Sequence, residues 1–154
     1  MSRNSLRVFL GLSALLGVGL VVRGCSGGND GYLAELGLNV APSAIVSHQS
    51  LATLTGDEDA VVIQLSPAQM PLLLNQFKTK REFSLAPAAA RAGAGWAGNA
   101  ASKAFFATVP RRARVGSFRV DHNPGGSSGW PTLCDFAIDP QTGRAWIYGW
   151  NVYN

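Results

Sequence analysis

The sequence predicts an α+β fold: a small antiparallel sheet of five or six strands with one main helix, after an N-terminal hydrophobic targeting helix. Three observations carry this. Thr132–Ile138 and Arg144–Trp150 flank the turn Asp139-Pro140-Gln141-Thr142-Gly143, so the C-terminus reads as a hairpin. Ala60–Leu65 is a β-branched, nearly continuous apolar run, as in a buried strand. Met70, Leu73, Leu74 and Phe77 recur at i, i+3, i+4 and i+7, one apolar stripe of a helix.

Taken in order, Arg3 and Arg7 precede Val8–Val22, an apolar run interrupted only by Ser13. Arg23, Gly24, Cys25 and a polar, glycine-rich run through Gly31 follow. Positive residues, an apolar stretch and then small residues describe a secretory signal. As a helix this run rises about 22 Å, short of the ~30 Å hydrocarbon core, so an uncleaved anchor would recruit Leu6 and snorkel its arginines. Residues 1–24 are therefore expected to be a signal peptide or signal anchor, 25–41 a flexible tether, and 42–154 a single domain.

Val22-Arg23-Gly24-Cys25 resembles the lipobox of bacterial lipoproteins. Gly24 and Cys25 match that pattern; Arg23 departs from it. The resemblance covers only the first 30 residues. It implies lipidation at Cys25 and an attachment to the membrane through the N-terminus.

Within the domain, Ser43–Ser47 is a short strand candidate and Thr55–Asp59 a polar turn. Ser66-Pro67-Ala68-Gln69 can start the helix, with Ser66 as cap and Gln69 completing a capping box. Pro71 threatens the first turn, because it lacks a donor. Lys78, Lys80 and Arg81 complement the negative end of the helix dipole. Ala86–Ala104, with ten alanines and three glycines, reads as a long Ala/Gly-rich loop. Phe105–Val109 and Val115–Asp121 are further strand candidates, and Asn123–Pro131 is a loop holding Trp130. In the first strand of the hairpin Cys134, Phe136 and Ile138 share a face, and in the second Trp146, Tyr148 and Trp150 share a face, with Ala145 and Ile147 on the other.

Charge is unevenly placed. Residues 1–24 carry +3, residues 25–77 a net −5, residues 78–119 a net +8, and residues 120–154 a net −2. Acidic and basic stretches that meet across one domain account for this without nucleic acid; a basic patch facing a polyanion or anionic lipid is the alternative. No nucleic-acid partner and no cofactor are expected.

Candidate chemistry is thin. His48, Asp121, His122 and Cys134 could supply a nucleophile with its base, and His48, Asp121 and His122 a metal site. Adjacent residues on a strand point to opposite faces, which disfavours the second. The glycine-rich 125–129 run lacks the lysine of a phosphate-binding loop. The aromatic ladder Trp146, Tyr148, Trp150, extended by Trp130, offers a flat surface for a partner. These features predict an exported, membrane-tethered protein of the cell envelope, a non-catalytic binding or structural module with a protein or wall-polymer partner. A small secreted hydrolase using His122 with Asp121 or Cys134 is the rival.

Overall fold

The computed structural model describes residues 22–23, 30–53, 56–86, 100–121 and 131–151. The chain is α+β, with a six-stranded antiparallel sheet and few helices. Strands β2 (Ile45–Thr53), β3 (Gly56–Gln64), β4 (Arg81–Ala86), β5 (Arg114–Val120), β6 (Thr132–Asp139) and β7 (Arg144–Asn151) lie in the order β2-β3-β7-β6-β5-β4. A two-residue rung, β1 (Val22–Arg23), pairs with the outer side of β2. The rest of the expected targeting segment, with Cys25, lies outside the described residues.

Alternation along the strands splits the apolar residues between two layers. On one face, Val61, Ile63, Cys134, Phe136, Ile138, Ala145 and Ile147 form a core with helices α1 (Asp30–Glu35) and α2 (Met70–Lys78). On the other, Ala60, Val115, Ala137, Trp146 and Tyr148 pack under helix α3 (Ala100–Phe106). The sheet is therefore covered on both sides, one layer more than the sequence suggests.

The stripe of α2 is real: Met70, Leu73 and Phe77 are buried, and the Phe77 ring lies 4.5 Å from that of Phe136 and 5.1 Å from that of Phe118. The helix begins at Met70 with Pro71 in its first turn, where a missing donor costs nothing. Half of the expected capping box survives: the Gln69 carboxamide accepts from the Ser66 N–H at 3.0 Å and from its hydroxyl at 2.9 Å.

The C-terminal hairpin is as drawn from sequence. Gly143 donates to the Asp139 carbonyl at 2.9 Å with φ of 71°, and Asp139 pairs with Arg144 across the strands. The Asp139 side chain, wholly buried, accepts from Arg112, the Gln141 N–H and the Thr142 hydroxyl. Those bonds hold its carboxyl below the usual carboxylate range, Arg112 first.

Four expectations are corrected. The tether drawn over 25–41 gives way at Asp30 to α1, which ends in a glycine cap. Leu38 N–H donates to the Leu33 carbonyl and Gly37 N–H to that of Ala34, both at 2.8 Å, with Gly37 at φ 63°. Leu33, Leu36 and Leu38 are buried, so this segment is core. The turn drawn over Thr55–Asp59 gives way at Gly56 to β3, and Glu58 and Asp59 find partners on opposite faces. Phe105–Val109 is not a strand: Phe105 and Phe106 close α3, whose residues Ser102 and Phe106 are buried one turn apart. Alanine-rich sequence favours that helix once tertiary contacts hold it. Arg81 belongs to β4 instead of the end of α2, which stops at Lys78.

Candidate functional site

The polar side chains that converge most closely lie on the α1–α2 face, at the β2 side of the sheet. Ser50 pairs with Asp59, Asp59 with Gly149, and Gly149 with Cys134, so four residues form one row across β2, β3, β7 and β6. His48 stands two residues from Ser50 on the same face.

His48 Nε2 donates to Asp59 Oδ1 at 2.8 Å. A carboxylate only accepts, so Nε2 carries the proton. Ser50 donates its hydroxyl to the same Asp59 oxygen. Tyr32, from α1, stacks on the His48 ring with centroids 5.6 Å apart. Its hydroxyl reaches over Gly149, where an added Cβ would stand 1.9 Å from the phenolic oxygen. That hydroxyl is buried without a hydrogen-bond partner of good geometry, beside the Cys134 sulfur. Burial pushes the phenol well above its ordinary range, and negative charge at Cys134 and Asp59 would add to the effect.

Serine, histidine and aspartate meet here, but not in the wiring of a catalytic triad. In a triad the imidazole sits between the acid and the hydroxyl and takes the hydroxyl proton. Here Ser50 Oγ does lie 3.4 Å from His48 Nε2, but that nitrogen faces Asp59 at 2.8 Å and the serine proton points at the carboxylate. In this arrangement the cluster binds β2 to β3 and α1.

The pairs expected from sequence are not assembled. Cys134 is buried in the apolar layer, and desolvation pushes its thiol far above the ordinary range, so it holds its proton. His48 on β2 and Cys134 on β6 are three strand spacings apart, roughly 14 Å, with Tyr32 between them. Asp121, just past the end of β5, is four spacings from β2, so His48 and Asp121 cannot share a metal ion. Its carboxylate is gripped by Arg81 and, at 2.9 Å, by Arg119, which hold it below the usual range, Arg81 first. His122 lies outside the described residues, and among those described no group of three metal-ligating side chains converges.

The aromatic ladder is largely interior. Trp146 and Tyr148 are 5% and 0% exposed, with the Phe105 and Phe106 rings 5.8 and 6.3 Å from Tyr148. Tyr148 donates its hydroxyl to the buried Glu58 carboxylate. Trp150 is half-buried, and Trp130 lies outside the described residues. Among the described residues, Trp146 and Tyr148 are withdrawn from the flat surface expected of the ladder, because they pack in the layer under α3, and Trp150 alone stays partly exposed.

Sequence reasoning passed over Tyr32, Ser50 and Asp59 as a group. The one available signal was His48-x-Ser50, two polar residues on one strand face; their acid partner becomes visible only once β2 is registered on β3. No family model, curated protein or solved structure matches the chain.

Proposed function

We propose that the protein is an exported module of the cell envelope, tethered to the membrane at its N-terminus, that binds a protein or wall-polymer partner and performs no chemistry. The observation that carries this is Val8–Val22, an apolar run bracketed by Arg7 and Arg23 and followed at once by Gly24-Cys25. Charge, apolar stretch and small residues in that order suit an export signal. Attachment at Cys25 would leave only Ser26–Asn29 before α1, a spacer of at most about 14 Å. The domain would then sit against the bilayer surface.

Absence of an activated nucleophile in the described residues favours binding over hydrolysis. Cys134 keeps its proton in the core, Ser50 gives its proton to Asp59, and Asp121 is held by two guanidiniums. The rival hydrolase would have to free one of these first.

Placing aspartate at Leu12 and Leu16 together tests the export step. The variant is expected to stay in the cytoplasm, while unchanged fractionation would overturn the reading. Intact mass, with and without Cys25→Ser, then resolves the tether. A lipidated chain begins at Cys25 and gains acyl mass that the serine variant lacks. An uncleaved anchor keeps Met1–Val22 in both.

A further inference from the structure

At one end of the sheet, the turn between β6 and β7 meets the turn Pro110–Ala113 and the end of β3. Between them is a cleft of about 380 Å3, lined by Gln64, Thr108, Arg112, Thr142, Arg144 and Trp146. Pro110 and Asp139 complete its wall. Its size falls in the range of small-ligand sites, about 300–1,000 Å3.

The charge in this cleft is one-sided. Asp139 contributes the one carboxylate in its wall, and that carboxylate is wholly buried behind two bonds from Arg112, at 3.0 Å from Nε and 2.8 Å from Nη2. Arg112 therefore cancels it. Arg144 stands opposite Asp139 in the ladder but spends only its Nε, on the Gln64 carboxamide at 3.3 Å. Among the described residues, the two terminal nitrogens of Arg144 and Nη1 of Arg112 have no protein acceptor. Arg111 in the adjoining turn adds one more positive charge, not paired with a carboxylate among the described residues. The hydroxyls of Thr108 and Thr142 already donate elsewhere, to the Phe105 carbonyl and to Asp139. Recognition thus falls to the guanidiniums.

We propose that this cleft is a phosphate-binding site, in which Arg144 and Arg112 grip the oxygens of a phosphoryl group and Arg111 adds to the attracting field. The two terminal nitrogens of Arg144 and the remaining Nη1 of Arg112, on different walls, match a tetrahedral anion with three or four exposed oxygens better than a planar carboxylate, which one fork satisfies. Trp146 gives the cleft an apolar floor for the carbon skeleton attached to the phosphate. The Arg112–Asp139 pair fixes one fork in place before any ligand arrives, which reduces the ordering cost of binding. The site stands apart from the envelope reading, since a phosphate cleft is measurable wherever the protein resides.

The test is titration calorimetry on the full-length protein in nonionic detergent. The probes are inorganic phosphate, glycerol 3-phosphate and a short-chain phosphatidylglycerol below its micelle concentration, with acetate at matched ionic strength as the planar anion. Saturable binding of at least one phosphate probe, tighter than acetate, is expected. Arg144→Gln should weaken it about tenfold, the scale of a charge-assisted hydrogen bond lost, and should leave the melting temperature unchanged without ligand. Arg111→Gln should weaken it less and lower its dependence on salt. Tighter binding of the lipid would identify the source as a headgroup; equal or tighter binding of the water-soluble esters would identify a free phosphate. No saturation with any phosphate probe, acetate binding as tightly, or Arg144→Gln binding like wild type would each overturn the assignment.

Discussion

The phenolic oxygen of Tyr32 on α1 occupies the space above Gly149 on β7 that any other residue would fill with its Cβ. The contact locks the first helix of the domain to the strand nearest its centre. Gly149→Ala should therefore cost about 1–3 kcal/mol of stability, the usual scale of overpacking. With the hydroxyl removed by Tyr32→Phe, the nearest atoms become Cys134 Sγ and the ring carbon at 3.2 Å, which need to yield only slightly. Denaturant unfolding of the two single variants and the double variant is expected to give a coupling of about 1 kcal/mol or more. Strict additivity would show that Tyr32 does not lie where described.

Gly143 has two reasons to be glycine. Its φ of 71° is left-handed, and a Cβ would stand 1.9 Å from the Leu65 carbonyl oxygen, which itself follows the β3 end that the hairpin covers. The Gly143 carbonyl accepts from the Leu65 N–H at 2.8 Å, so the turn cannot easily move away. Gly143→Val should lose more than the roughly 1–2 kcal/mol that the backbone conformation alone would cost. An unfolding midpoint equal to wild type would contradict both the turn and its contact with Leu65.

Asp139 gives the domain a defined response to acid. Its carboxyl is held below the ordinary unfolded value of about 3.9. The folded state then binds the proton less readily than the unfolded chain. The resulting stability is complete above the unfolded value and is lost as pH falls through the folded one. Unfolding midpoints measured from pH 6 down to pH 3 should fall for wild type and fall less for Asp139→Asn. Asp121, shifted in the same direction, keeps some slope in the variant. Parallel curves for the two proteins would contradict the assignment.

Cys134 should behave as an apolar side chain. In a Cys25→Ser background, alkylation at pH 8 is expected to be negligible in the folded protein and complete in denaturant, because only the thiolate reacts. Native labelling at the rate of a free thiol would show that the core opens readily there.

The parts of this fold legible in the sequence are those whose signal is local. The Asp139–Gly143 turn carries its own residue chemistry, and the α2 stripe its own period. The parts that were not legible depend on partners remote in sequence. Asp57, Glu58 and Asp59 resemble a solvated turn until β2 and β7 supply His48, Ser50 and Tyr148. Leu33, Leu36 and Leu38 follow a glycine-rich stretch that suggested a tether, although Gly37 between two leucines was a readable helix end. Phe105 and Phe106 fit a strand or a helix equally over so short a run, and Tyr148 beneath them decides for helix. The same limitation hid the candidate site: His48 was visible, but its carboxylate is fixed by strand pairing and its aromatic neighbour by the docking of α1.

The strand order carries one more consequence, for the sequence of events in folding. β7 follows the other strands in sequence but lies between β3 and β6, and the partners Glu58 and Trp150 are 92 positions apart. Pairings of such high contact order form late, since a long loop must close before any bond rewards it. Until residue 151 is available, the β2–β3 hairpin and the β4–β5–β6 group have no strand to join them. In this topology the last strand to appear is the one that closes the sheet, so neither half can complete its layer before β7 has joined them.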